Sequence, residues 1–238
     1  MEQVRQDVLV VIPARLESKR FPGKPLIEVA GKPLIWYAWH VASTWPRANG
    51  VVIASLDASI LDAMARFGAE VQHSPPELRN GSQRAFDVWH HMGSSFVVDL
   101  QCDEPEVTHA MLDAAVSPWC DGDPDIATLS GPFFSGHPST DPNEVKVVVS
   151  QLGRAVYFSR QPLPASRRHI GIYAFRGYNV SLIASETESV CGRAERLEQL
   201  DWLDAGWPIQ VVPVEATPLS INTPRDMEIF TAKVEGRG

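Results

Sequence analysis

The chain has 238 residues but only three cysteines, Cys102, Cys120 and Cys191, too few and too scattered for a disulfide framework. It also lacks any apolar stretch near the roughly 20 residues a membrane-spanning helix requires. Its longest such runs, Val8 to Ile12 and Val145 to Val149 around Lys146, are far shorter. The N-terminal MEQVRQDVLVVIPAR holds no hydrophobic segment of signal-peptide length, so the expected location is cytoplasmic. Positive charge is scarce too: 21 Lys and Arg against 29 Asp and Glu leave a formal charge of −8. That balance argues against broad binding to nucleic acid or to an anionic membrane, both of which need a basic face. Any anionic ligand must therefore meet a local cluster of cations.

What is present is ordinary globular composition, 44% hydrophobic and 21% charged, enough for a sizeable core. Val8 to Ile12 is a short β-branched run of the kind buried on both faces of a parallel sheet. A long irregular loop follows from Pro13 to Pro25, and Pro33 then opens a helical stretch with Leu34, Tyr37, Ala38 and Val41 at helix spacing. Strand-like 51–55, helical 60–67, short 69–73, helical 82–92 and strand-like 96–101 continue a βαβ rhythm. After about residue 125 the rhythm changes, with strands expected at 126–129, 145–150, 155–159 and 170–175. Helical patterns return at 178–185 and 193–205, then a strand at 209–214 and a last helix opened by Thr223-Pro224. The DGDPD stretch at 121–125 lacks the later ligands of a calcium loop and reads as a turn. The expected fold class is α/β, one domain over 1–238 with a smaller mixed-sheet lobe at 126–176.

The chemistry concentrates in PARLESKRFPGKP, residues 13–25, directly after the first strand. Arg15, Lys19, Arg20 and Lys24 against Glu17 give this loop a net charge of +3 inside a chain of −8. Cations interleaved with Ser18 and Gly23 suit a phosphate cradle, the cations for charge and the small residues for close backbone approach. The loop leaves the carboxyl edge of its strand, where ligands bind in open parallel sheets. It is neither a Walker P-loop nor a GxGxxG fingerprint. Asp103 follows the strand expected at 96–101, at that same edge, and is placed to hold Mg²⁺.

This loop resembles the P-A-R-x-x-S-x-R-x-P-G-K-P signature of the cytidylyltransferases that activate acidic sugars, most closely 3-deoxy-manno-octulosonate (Kdo) cytidylyltransferases. NGSQR at 80–84, QCDEP at 101–105, PNEVKVV at 142–148, YFSR at 157–160, HIGIYAFR at 169–176, RLEQL at 196–200 and INTPRDME at 221–228 follow in the family's order. The resemblance covers nearly the whole chain. It implies a Rossmann-like nucleotidyltransferase fold with a mixed, mostly parallel sheet flanked by helices. It also implies transfer of CMP from CTP to an acidic sugar in lipopolysaccharide biosynthesis, a Mg²⁺ cofactor and a homodimer. By the same resemblance Pro13, Ala14, Arg15, Ser18, Lys24, Asn80, Gly81, Ser82 and Arg84 bind the nucleotide, with Arg15, Lys24 and Asp103 at the catalytic centre. Gln101, Arg160, His169, Tyr173, Glu198 and Gln199 bind the acceptor, and Asp103 and position 222 hold metal.

Three departures bear on these expectations. Position 222, a second metal carboxylate in the family, is Asn222, whose amide carries no charge. Cys102 replaces a glycine, which matters if the backbone there needs positive φ. Only eight residues, Gln161 to Arg168, separate YFSR from HIG, where the family carries a longer segment. Two other readings therefore stay open: a cytidylyltransferase acting on another acidic acceptor, such as a different ulosonic acid or a phosphonate, and a nucleotide-binding homologue without turnover.

Overall fold

The computed structural model describes residues 7–18, 20–120, 124–133 and 139–236, with Trp119, Cys120 and Ala184 described by backbone alone. Lys19 of the basic loop and part of the turn expected at 121–125 lie outside the described residues. The chain forms two compact units, one of residues 1–109 and 218–238, the other of residues 110–217.

The first unit is built on strands β1 (Val8–Ala14), β4 (Ala48–Ser55), β5 (Glu70–His73) and β6 (Phe96–Leu100), in the order β6-β1-β4-β5 and all parallel. Every residue of β1 is buried, as its unbroken apolar run requires. Between β1 and β4 come a two-residue hairpin, β2 (Glu28–Val29) with β3 (Lys32–Pro33), and helix α1 (Leu34–Thr44). Pro33 stands extended at the N-cap of α1, and the helix ends before the Trp45-Pro46 pair, where the residue preceding proline is disfavoured in helical conformation. Helix α2 (Ala58–Ala65) leads on to β5, and α3 (Gly81–Met92) carries the chain back to the far side of β1. The winding therefore reverses between β1 and β6, the point in an open parallel sheet where strand ends leave a crevice for ligand.

The C-terminal segment belongs to this first unit. Ile221, Met227 and Phe230 pack with Val29 and Leu34 in one buried cluster that Phe21, Ile27, Tyr37 and Leu219 extend. The final helix, Pro224–Val234, completes this cluster and opens as Thr223-Pro224 predicts. Thr223 and Asp226 close a reciprocal capping box, with proline in the first turn.

The second unit opens with α4 (His109–Val116), a helix the βαβ reading did not anticipate. Its strands are β7 (Ile126–Gly131), β8 (Lys146–Val149), β9 (Ala155–Ser159), β10 (Ser166–Arg176) and β11 (Ile209–Pro213). β11 is parallel to β7, whereas β7 with β10, β10 with β8 and β8 with β9 are antiparallel. The strands expected at 126–129, 145–150, 155–159 and 170–175 are all present, and β10 begins earlier because Ser166 to Arg168 pair with β8. The short segment between YFSR and HIG thus turns at Ala165, which takes a φ of 54°, and its last three residues, Ser166 to Arg168, are already strand. The helical stretch expected at 193–205 divides into α6 (Val190–Glu195) and α7 (Gln199–Asp204), and helix α5 (Val180–Ala184) precedes them. Arg196 breaks it by entering the left-handed region at φ 56°. The last helix of the first unit is α8 (Pro224–Val234).

Candidate active site

The basic loop begins where β1 ends. Leu16 donates its amide to Asp57 Oδ2 at 2.7 Å, tying the loop to the residue that precedes α2, and Gly23 closes it with a 2.9 Å bond to the Leu16 carbonyl. Gly23 has a φ of 72°, a conformation that favours glycine, so this turn explains the residue. Ser18 Oγ accepts the Phe21 amide at 3.2 Å, an internal brace rather than a free ligand group. Arg15 and Arg20 stand exposed.

Lys24 turns inward instead. Its Nζ donates to Asp103 Oδ2 and to the Ile221 carbonyl, each at 2.6 Å, and Ile221 in turn donates its amide to the Asp103 carbonyl at 2.9 Å. Three segments far apart in sequence, the basic loop, the end of β6 and the entry to α8, are thereby joined at one point. Burial works against the ammonium, but the Asp103 carboxylate outweighs it and holds the Lys24 pKa above its ordinary value. Asp103 Oδ1 takes no partner among the described residues, so half of this carboxylate remains available. Asn222 follows Ile221 directly, and Asp226 Oδ2 accepts its backbone amide at 3.0 Å.

The start of α3 lies against the ends of β1 and β6. Asn80 caps it, accepting the Gln83 amide at 2.9 Å, while Arg84 is buried and donates to the carbonyls of Asn80 and Leu78 at 2.8 and 3.0 Å. Arg84 therefore shapes the 78–80 segment, and its role here is to hold the frame. A Cβ on Gly81 would fall 2.8 Å from Gln101 Nε2 and 3.1 Å from Pro13 Cγ. A side chain there would press on Pro13 and displace the Gln101 amide, so the bare backbone leaves that amide its present place. Pro13 and Ala14 are the buried last residues of β1.

Cys102 is buried and its backbone lies outside the left-handed region, so the side chain in place of a glycine brings no strain. Burial and the neighbouring Asp103 push its thiol up to about 12, and it is no nucleophile.

In the second unit, His169, Tyr173 and Gln199 come together. Gln199 donates to the Tyr173 hydroxyl, and the rings of His169 and Tyr173 lie 5.4 Å apart. His169 Nε2 meets Thr128 Oγ1 at 3.0 Å, and burial with Arg168 beside it drives the imidazole down to about 3. It is neutral at any working pH and can serve a ligand only as a hydrogen-bonding group. Gln199 is buried and its Oε1 has no partner among the described residues. Glu198 stands at the N-cap of α7, next to it in the chain. Arg160 is turned elsewhere: its guanidinium donates to the carbonyls of Glu195, Pro142 and Arg196 at 3.0, 3.0 and 3.4 Å. The Glu195 carboxylate accepts from the Arg160 backbone amide at 2.9 Å and from the Ser159 hydroxyl at 2.7 Å.

Sequence reasoning missed the Ile221 carbonyl, because a backbone acceptor has no residue signature. It also missed Asp99, a buried carboxylate on β6 that accepts from Ser82 Oγ at 3.0 Å and Gln101 Nε2 at 2.8 Å. An acid inside the apolar pattern FVVDL was the available signal.

Comparison with known proteins follows the same lines. Residues 9–206 match the family model described as cytidylyltransferase. The chain is 36% identical to a 3-deoxy-manno-octulosonate cytidylyltransferase of Chlorobium chlorochromatii, over 94% of this chain and 95% of that protein. It is also 36% identical to the enzyme of the same name from Porphyromonas gingivalis, over 98% of each. Its fold superposes with a TM-score of 0.88 and 30% identity on CMP:2-keto-3-deoxy-manno-octonic acid synthetase complexed with CTP, covering 98% of this chain and 100% of that one. A 4-diphosphocytidyl-2C-methyl-D-erythritol synthase from Anaerococcus prevotii, at 13% identity and a TM-score of 0.65, shares the fold. The mixed, mostly parallel sheet flanked by helices is the nucleotidyltransferase fold, and the chain belongs to the 3-deoxy-manno-octulosonate cytidylyltransferase family of CTP-dependent nucleotidyltransferases.

Proposed function

We propose that this enzyme transfers CMP from CTP to 3-deoxy-manno-octulosonate, giving the CMP-sugar acid and pyrophosphate, as a cytoplasmic homodimer in lipopolysaccharide biosynthesis. The observation that carries the reading is the Lys24–Asp103–Ile221 junction at the carboxyl edge of β1 and β6, below an otherwise intact basic loop. The anomeric hydroxyl oxygen attacks the α-phosphorus of CTP. The bond to the bridging oxygen breaks, pyrophosphate leaves, and the hydroxyl proton passes to solvent. Lys24 and Arg15 neutralise triphosphate charge, and the chain contributes chiefly position and charge.

A divalent cation fits this edge. Mg²⁺ takes one or two protein ligands plus substrate phosphates and keeps several waters. Asp103 Oδ1, which takes no partner among the described residues, and the Asn222 amide oxygen would hold it, and once bound it would withdraw charge from the phosphoryl oxygens. With an amide at 222, the site offers one full negative charge where the family pattern has two. Replacing Asn222→Asp is expected to lower the Mg²⁺ concentration for half-maximal pyrophosphate release severalfold, with wild type active at higher Mg²⁺. If wild type binds CTP yet releases no pyrophosphate with any acidic acceptor at any Mg²⁺ concentration, the enzyme reading fails.

The acceptor side rests on the buried Gln199, Tyr173 and His169 group, which offers neutral hydrogen-bonding atoms suited to sugar hydroxyls. Arg160, spent on carbonyls, supports that wall rather than reaching freely for a carboxylate.

A further inference from the structure

We propose that Asp99 is a positioning residue, whose buried carboxylate sets the orientation of the Gln101 amide and so fixes which atom Gln101 presents to the acceptor. The inference rests on the reading of Gln101 as an acceptor-binding residue.

Asp99 is fully buried in β6, flanked in sequence by Val97, Val98 and Leu100, a place where an ionised side chain is costly unless it is hydrogen-bonded. Its two oxygens are matched to two donors: Oδ1 to Gln101 Nε2 at 2.8 Å and Oδ2 to Ser82 Oγ at 3.0 Å. An isolated glutamine amide can turn either end toward a neighbour, since its oxygen and nitrogen are nearly alike in size. A carboxylate removes that freedom because it accepts only. Facing Asp99, Gln101 must offer it its NH₂, and its Oε1, 3.4 Å from where a Gly81 Cβ would fall, is left as an acceptor for a sugar hydroxyl. Gly81 reinforces the arrangement, since the absent Cβ leaves the space in which the Gln101 amide lies. Ser82 and Gly81 belong to the first turn of α3, the segment expected to frame the nucleotide. Asp99 thus ties the nucleotide wall and Gln101 into one hydrogen-bonded set.

An asparagine at 99 keeps the shape but offers its own NH₂ as well as an oxygen, so the Gln101 amide gains a second stable orientation. The expected result for Asp99→Asn is a loss of at least tenfold in kcat/KM for Kdo, with KM for CTP changed less than about twofold. In a Gln101→Ala background the same substitution should have almost no further effect, because Asp99 acts through Gln101. Should Asp99→Asn fail to fold, Asp99→Ser removes the charge without adding volume and carries the same cycle. Independently of turnover, the side-chain NH₂ protons of Gln101 in ¹⁵N-labelled enzyme, assigned by their loss in Gln101→Ala, should exchange slowly in wild type and rapidly in the variant. Equal loss in both backgrounds, or an unchanged Gln101 amide signal in the variant, overturns the proposal. A released amide signal with unaltered Kdo kinetics keeps the orienting bond but removes Gln101 from the acceptor site, and so overturns the underlying reading instead.

Discussion

Lys24 carries more of this site than its place in a cationic loop suggests. Of the cations described in that loop it alone is drawn inward, fixed by a carboxylate and a carbonyl at 2.6 Å each. Replacing Lys24→Met should reduce the rate of pyrophosphate release by about a hundredfold, the scale seen when a charge-stabilising donor is removed. Lys24→Arg should recover little of it, since a planar fork cannot reproduce a point ammonium held by two short bonds. Steady-state kinetics on the two variants checks both. His169 gives a different kind of test. Its folded pKa of about 3 lies below its ordinary 6.5 because burial, then Arg168, disfavour the imidazolium. Between those values the unfolded chain binds a proton that the folded chain does not. Stability is therefore full above pH 6.5 and falls as pH drops below it, by up to about 1.4 kcal/mol per unit from this group. Urea melts from pH 7 to 4 should show that slope, and His169→Gln should flatten it. An unchanged slope in the variant would assign the acid limb to other groups.

At the scale of elements, the position of Lys24 depends on α8. Ile221 is buried in the cluster of Val29, Leu34, Met227 and Phe230, and the chain turns from it into the Thr223–Asp226 capping box. Asp226 Oδ2 gathers the amides of Asn222 and Thr223 and the Thr223 hydroxyl. Thr223→Ala should cost about 1 kcal/mol in urea denaturation, the usual worth of an N-cap. It should also weaken catalysis, because the Ile221 carbonyl then loses its fixed approach to Lys24. The sequence made this helix start legible, since Thr-Pro with an acid three residues after the threonine is a capping signal. Alternating strand and helix patterns likewise disclosed the parallel sheet and the loop at its carboxyl edge. Other elements were not legible for physical reasons. The break at Arg196 depends on one residue entering left-handed space beside Gly192, where a Cβ would strike Asp201. Asp99 reads as an interruption of a strand until its two donors are seen.

Over the whole molecule, a net charge of −8 and a local charge of +3 divide the labour. A net negative charge gives no general attraction for anions, so the proposed triphosphate site depends on the cations of one loop. In the metal site proposed above, Asp103 would contribute the oxygen that takes no partner among the described residues, and an amide at 222 would raise the Mg²⁺ concentration required. Among the described residues no helix is long and apolar enough to cross a membrane. The reaction itself is tested by product analysis by mass spectrometry and ³¹P NMR after incubating the purified enzyme with CTP, Mg²⁺ and Kdo. A CMP ester of Kdo formed in equal amount with pyrophosphate, with little or none from ATP or GTP, is the predicted result. CTP and Kdo recovered unchanged, while a different acidic acceptor yields its CMP ester, would contradict the assignment of the acceptor and locate the change in the His169, Tyr173 and Gln199 group.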